Sequence, residues 1–253
     1  MSEAVRVVVA GASGRMGQLM ASGLGREPGI EVVGGFHRSD PPATVDRLLG
    51  RADALVDFTV PAAAHDILLR AIAAGVRPVS GTSGVTEATL AAVDEAARER
   101  GIAAMWAPNF RIGGVLMEHL ARIAARTMKT VEIVEAHNDR KKDAPSGTAV
   151  SLARAMREAR GSDFPDPPVD HEVVRGTRGG VEGGVRIHSL RLPLFVGRHE
   201  IVFAGADEIL TISHDVFGRE AYVPTVALAL HEVMRPERVG LIRGAATLFG
   251  LDE

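Results

Sequence analysis

The stretch VRVVVAGASGRMG, Val5 to Gly17, constrains this chain more than any other. A short β-branched run meets three glycines, Gly11, Gly14 and Gly17, and passes directly into an Ala- and Leu-rich helical pattern. An apolar run of this length, broken only by Arg6, fits a parallel strand covered on both faces. Glycines at this spacing permit a tight turn, let backbone N–H groups approach a pyrophosphate, and allow the helix to pack closely on the strand. A glycine triplet alone also suits an ordinary turn, but a preceding strand and a following helix are the context of a dinucleotide site. The candidate cofactor contacts here are Gly11, Ala12, Ser13, Gly14, Arg15 and Met16.

The alternation continues. IEVVGGF, Ile30 to Phe36, reads as the second strand, and its end normally reads the adenosine ribose. In place of an acidic residue stand His37, Arg38 and Ser39, with Asp40 next. Cationic Arg38 can pair with a 2′-phosphate, which favours NADPH and leaves NADH possible. ALVDFT, 54–59, is a third strand, a proline-initiated helix spans 61–74, and VRPVSGTSG forms a strand with a glycine turn. A helix over 86–100 and the strand IAAMWAPNF follow. Such alternation predicts an α/β, Rossmann-like doubly wound parallel sheet. Thr59, Gly81, Thr82, Ser83, Ala107, Pro108, Asn109 and Phe110 fall at carboxyl ends of its strands, where a nicotinamide is expected.

After Phe110 the pattern changes. A helix over 113–125, the strand TVEIVEAHN, a charged loop and a helix over 146–159 are followed by a Pro- and Gly-rich segment, 161–184. Three strand-like runs, VRIHSLRL, RHEIVFAG and EILTISHD, then come without long helices between them. This predicts a second, α+β domain with a mixed or antiparallel sheet. A last helix over 221–234, with Pro224 in its first turn, is expected to pack on the first domain. The expected division is a dinucleotide-binding domain, 1–109 completed by 218–253, and a substrate-binding and oligomerisation domain, 110–217.

The charged loop lies within EAHNDRKKDAPSGTA, Glu135 to Ala149. Ser146 is a good N-cap. The first amides of its helix, Gly147 and Thr148, would favour an anion, reinforced by Arg140, Lys141 and Lys142. His137, four residues before Lys141, can exchange a proton near neutral pH. Asp139 and Asp143 partly neutralise the cluster, and Asn138 can hydrogen-bond but cannot supply a proton at neutral pH. The alternative to an anion seat is a solvated basic loop with His137 packed at a strand end.

Composition excludes several classes. A net charge of −3, one Trp and one Tyr give no nucleic-acid signature. Nine histidines show no HExxH or comparable spacing, so no metal site is expected. No cysteine, no run of about 18 apolar residues and no signal-peptide pattern lead to the expectation of a soluble cytoplasmic protein without membrane contact.

GASGRMG, APNF, HNDRKKDAPSGTA and RIHSLRLPLFVGRHEIVFAGADEILTISHD together resemble the 4-hydroxy-tetrahydrodipicolinate reductase (dihydrodipicolinate reductase) family of lysine biosynthesis, in the family's order and over nearly the whole chain. The resemblance implies reduction of a cyclic imine dicarboxylate by NADPH or NADH, with loss of the 4-hydroxyl as water, by a homotetramer. It places His137 at the acid/base position, Lys141 at the second catalytic position, and Asn138, Gly147 and Thr148 at the substrate. Gly11 to Met16, Arg38, Gly81 to Ser83 and Ala107 to Phe110 match cofactor contacts. Three features depart from the family pattern: Asn138 replaces a second histidine, the segment before DFT is short, and Arg111 stands where a small residue is usual. They leave open a reductase of another cyclic imine or imino acid, and a non-catalytic dinucleotide sensor is a third reading. Retention of both His137 and Lys141 argues against the sensor.

Overall fold

Val7, Val8, Val9 and Ala10 are essentially inaccessible to solvent, whereas Arg6 points outward and pairs with Asp53 at 2.6 Å. A strand buried on both faces needs neighbours on both edges, and this one has them. A computed structural model describes residues 3–193 and 195–251. It divides into two units, one running to Ile112 and resuming at Arg219, the other spanning Gly113–Gly218.

In the first unit β1 (Val5–Ala10), α1 (Arg15–Leu24), β2 (Ile30–Phe36), α2 (Pro42–Leu49), β3 (Ala54–Asp57), α3 (Pro61–Ala73), β4 (Arg77–Ser80), α4 (Glu87–Arg100) and β5 (Ala103–Trp106) alternate. After the second unit the chain returns through a 3-10 turn (Glu220–Tyr222), α7 (Val223–Val233) and β11 (Gly240–Arg243). The six strands form one sheet in the order β11-β5-β4-β3-β1-β2, with every pairing parallel. This is the predicted doubly wound sheet. α7 packs against α1, where Val223 fills the space a side chain on Gly23 would need.

Two elements go beyond the sequence reading. α2 occupies the short segment after β2: prolines open it, and Val45 and Leu49, four residues apart, bury one face. β11 is a four-residue strand begun by Gly240 at φ +87°, with no further α-helix after it to mark the alternation. Helix ends follow local chemistry. Thr86 caps α4 by accepting from the Thr89 amide, and Gly101 closes it in the left-handed conformation at φ +68°.

The second unit contains α5 (Ile112–Ala125, entering from the first unit), β6 (Thr130–His137), α6 (Gly147–Arg160), β7 (Gly180–Glu182), β8 (Val185–Arg191), β9 (Gly197–Ala204) and β10 (Ile209–Val216). The strand order is β10-β9-β6-β8-β7, with β6 parallel to β8 and the other pairs antiparallel, so the sheet is mixed. One face buries Ile133, Ile187, Ile201 and Phe203 against Met117 and Ala121 of α5 and Leu152 and Met156 of α6. β7 lies in the Gly-rich segment read as loop; glycines on either side of its three residues obscure it. Among the described residues no helix is long and apolar enough to cross a membrane.

The first glycine turn is a matter of space. A Cβ on Gly17 would lie 2.1 Å from the Gly11 carbonyl oxygen, a backbone atom that cannot swing aside. Gly17→Ala is therefore expected to destabilise the protein by about 1–3 kcal/mol. Gly101→Ala, with nothing within 4 Å of the added carbon, should cost only its left-handed strain, about 1–2 kcal/mol. Urea unfolding of both variants measures the two costs, and the Gly17 turn should in addition lose its shape.

Candidate functional site

In the first unit, the loops that follow β1, β2, β3, β4 and β5 lie at the carboxyl edge of the parallel sheet. The turn from β1 to α1 holds Gly11, Ala12, Ser13 and Gly14, and Arg15 and Met16 begin the helix. Gly11 has φ +70°, and its amide and that of Ala12 donate to the Phe36 carbonyl at 2.9 and 3.1 Å. The α1 N-cap is Gly14, with no side-chain cap, so the amides of the first turn remain oriented for an anion. After β2, His37 Nδ1 accepts from the Ser13 amide at 3.1 Å, and Asp40 accepts from the His37 amide at 2.7 Å. Asp40 thus closes a local turn, and Arg38 is exposed on it.

Asp57, at the end of β3, organises the next two loops and was not singled out in the sequence. Fully buried, it accepts four hydrogen bonds: from the Thr59 amide (2.9 Å) and hydroxyl (2.6 Å), the Ser80 hydroxyl (2.7 Å) and the Thr82 hydroxyl (2.8 Å). The Thr82 carbonyl in turn accepts from Trp106 Nε1 at 2.9 Å. Gly81 passes against the Phe58 ring, where a Cβ would lie 2.1 Å away, and Ser83 follows in the same turn. In the loop after β5, Ala107 is buried, Pro108 is exposed, and Asn109 Oδ1 accepts from the Arg111 amide at 3.0 Å. Phe110 is wholly buried, edge-on to Phe58 at 6.1 Å. Arg111 does not project freely, since its guanidinium lies 4.4 Å over the Tyr222 ring.

In the second unit a polar cluster forms where the core layer of the sheet ends. Strand periodicity puts Val131, Ile133, Glu135 and His137 of β6 on one face, with Val185, Ile187, Ser189 and Arg191 of β8 and Phe203, Ile201 and His199 of β9. The three strands change from apolar to polar at the same level, because register sets Glu135 beside Ser189 and His199, and His137 beside Arg191. Glu135 is fully buried. Arg191 grips it with both terminal nitrogens, at 3.1 and 2.8 Å, the Ser146 amide donates to it at 3.2 Å, and His137 Nδ1 lies 2.5 Å from its Oε2. Burial pushes this carboxyl up, but hydrogen bonds from Arg191, Ser189 and His137 outweigh it and hold the group down at about 2.

Ser146 caps α6 as expected, accepting from the Ala149 amide at 3.2 Å, and its hydroxyl is 3.0 Å from His199 Nε2. Gly147 and Thr148 are the first two helical residues and are exposed; their amides have no acceptor within the helix. No chain atom lies within 4 Å of a Cβ placed on Gly147, so packing does not require glycine there. In the intervening loop Lys141 Nζ chelates Asp143 at 2.8 and 2.9 Å, which lowers the Asp143 carboxyl through that hydrogen bond. Asn138 Oδ1 accepts from the Arg140 amide and Nε at 3.1 and 3.2 Å. Among the loop's basic residues, Arg140 turns back on Asn138; the cation that reaches the loop backbone is Arg191, donating to the Asp143 carbonyl at 2.7 Å.

Glu135, His199 and Arg191 were missed as a group in the sequence. Their signal was a polar residue continuing the apolar period at one end of each of three strands. Among the described residues, no three His, Cys, Asp or Glu side chains converge as a metal-binding group.

Family comparisons agree over both units. Residues 5–110 match the model described as dihydrodipicolinate reductase, N-terminus, and 113–245 match that for its C-terminus. The chain is 39% identical to the 4-hydroxy-tetrahydrodipicolinate reductase of Moorella thermoacetica, over 98% of this chain and 99% of that one. It is 36% identical to the enzyme of the same name from Dehalococcoides mccartyi, over 98% and 97%. Among solved structures, dipicolinate-bound dihydrodipicolinate reductase from Paenisporosarcina sp. TG-14 superposes with a TM-score of 0.87 at 29% identity, covering 96% of this chain and 99% of that one. Matched from Val5 to Ala245 but for two residues between the models, the chain belongs to the dihydrodipicolinate reductase family.

Proposed function

We propose that the protein reduces 4-hydroxy-tetrahydrodipicolinate to tetrahydrodipicolinate with loss of water, in the diaminopimelate route to lysine. The observation that carries the reading is the head of α6. Two amides without helical acceptors and a glycine whose missing side chain nothing in the chain explains directly follow Ser146, which a hydrogen-bond network joins through Glu135 to His137. A helix start of this kind suits a carboxylate, and the structurally similar protein from Paenisporosarcina is described as bound to dipicolinate, a ring dicarboxylate.

The first unit fits a pyridine dinucleotide. Gly11, at φ +70°, and Gly17, whose Cβ would strike the Gly11 carbonyl oxygen, hold a tight turn from β1 into α1, and α1 begins without a side-chain cap. Gly11 to Met16 would hold the diphosphate, and Gly81 to Ser83 with Ala107 to Phe110 the nicotinamide end. Such a cofactor supplies the hydride. Asp57 fixes the loops of Thr59 and Thr82 so that their backbones keep one shape. Arg38 would take a 2′-phosphate: Asp40 is spent on the His37 amide, and no acidic group ends β2, so NADPH is the favoured cofactor.

On the substrate side, the Gly147 and Thr148 amides receive one carboxylate. Asn138, whose carbonyl oxygen is engaged by Arg140, retains its amide donors for the same ligand. Lys141, released from Asp143, offsets negative charge, and His137 or Lys141 supplies the proton. The enzyme is read as cytoplasmic and homotetrameric. Support for assembly comes from β10, an edge strand with Ile209 and Leu210 exposed at 72% and 43% at its start and Phe217 exposed at 91% beyond its other end.

The reading is tested by oxidation of NADPH at 340 nm, with substrate generated in place from pyruvate and aspartate semialdehyde by a synthase. Turnover is expected, and His137→Gln should lower kcat by about 10²–10⁴ with a smaller change in KM; an effect on KM alone removes His137 from the chemistry. Binding of NADPH without oxidation moves the search to other cyclic imines or to a sensor. Arg38→Ser should weaken NADPH binding by about 10- to 100-fold and leave NADH nearly unchanged, as calorimetric titration of both would show. Light scattering should give four times the chain mass of 26.7 kDa; a monomer mass withdraws the tetramer.

A further inference from the structure

We infer that Glu135 is the positioning residue of the site: it fixes the tautomer of His137, and through the same carboxylate it ties the histidine to the anion-binding head of α6. The inference rests on the assignment of His137 as the acid/base residue. Family resemblance had singled out His137 and Lys141, and neither explains why a carboxylate is buried two residues before the histidine.

The geometry is specific. Each oxygen of Glu135 accepts one hydrogen bond from Arg191, so the carboxylate plane is set by the bidentate fork. Oε1 also accepts from the Ser146 amide, whereas Oε2 faces His137 Nδ1. With its charge retained by these donors, Oε2 can only accept. His137 must therefore carry its proton on Nδ1, and Nε2 is left as the nitrogen that exchanges a proton with substrate. Opposite it, Gly197 of β9 puts no side chain against the ring; a Cβ there would come into ordinary contact with Nε2 at 3.5 Å. The other groups facing the ring are the His199 imidazole, edge-on with centroids 5.3 Å apart and itself bonded to Ser146, and Arg191, which reaches the ring only through Glu135. Arg191 further donates to the Asp143 carbonyl, so the loop that carries Lys141 hangs on the same carboxylate.

Glu135→Gln separates these functions. Its oxygen can take the Oε1 position and keep the Ser146 bond and one of the two Arg191 bonds, from Nη2, while the bond from Nη1 to Oε2 is lost. The new NH2 then faces His137 Nδ1 as a donor and requires the opposite tautomer. The test is nitrogen-15 NMR of histidine-labelled protein without ligands, with His137 assigned by the signals lost in His137→Gln. The wild type should hold the Nδ1-protonated form, and Glu135→Gln should shift His137 to the Nε2-protonated form while thermal unfolding remains cooperative. In the reductase assay the same variant should lose about 100-fold in kcat with KM changed far less. An Nε2-protonated His137 in the wild type overturns the inference, and this does not depend on Glu135→Gln folding. So does an unchanged tautomer and kcat in Glu135→Gln when the wild type turns over. Absence of turnover in the wild type defeats the proposed reaction instead, and the tautomer measurement still decides the role of Glu135.

Discussion

A fully buried carboxylate is the constraint around which the second unit is arranged. Removing an ionised Glu135 from water costs several kcal/mol unless its lone pairs are met. The sheet meets them by bringing Arg191 from β8, the Ser146 amide from the start of α6, and His137 from the same strand. Each donor comes from a different part of the chain, so satisfying one side chain fixes the register of β8, the entry of α6 and the end of β6 together. The depressed ionisation of Glu135 is the electrostatic record of that balance: burial works against the charge and the hydrogen bonds overcome it. This also explains how a polar cluster can adjoin a core of Ile133, Ile201 and Phe203 without weakening it.

Asp57 solves the same problem in the first unit by other means. Its four donors are hydroxyls and one amide of Thr59, Ser80 and Thr82, with no cation among them. Glu135, by contrast, is paired with a guanidinium, and its influence is short in range and directional. One carboxylate shapes backbone; the other orients a single ring. Both sit at the ends of strands, where the side chain can stay on the core face while its donors come from loops.

Much of this was legible in the sequence. The β1 run, its glycines and the strand–helix alternation specify a parallel sheet because apolar periodicity and turn chemistry act locally, and three adjacent strand-like runs announce a second sheet. α2 was lost because its eight residues contain little more than two turns, with two prolines at the front that read as loop. β7 was lost among glycines, and β11, no shorter than β3, β4 and β5, was lost because no further α-helix follows it to mark the alternation that revealed those three. His137, Lys141 and Ser146 stood out because they are neighbours in the chain. Arg191 and His199 lie more than fifty residues from Glu135, and only register brings them to it. Such a cluster is a property of the sheet, and no segment read alone contains it.

The two helix starts show how the same backbone dipole is put to different uses. Ser146 satisfies the Ala149 amide and leaves only Gly147 and Thr148 to an anion, so α6 is capped whether or not a ligand is present. Gly14 offers no side chain, and α1 begins with its first amides unmet by a cap. Replacing a serine cap by glycine costs only a few tenths of a kcal/mol, a small loss against the gain when an anion completes the turn. Ligand that binds only the folded chain adds stability that grows with the logarithm of its concentration above the dissociation constant. Stability in the first unit is thus coupled to the dinucleotide it is built to hold, whereas the head of α6 is rigid beforehand. A rigid seat suits the proton transfer proposed for His137, because misplacement of that ring relative to substrate would be felt directly in the rate.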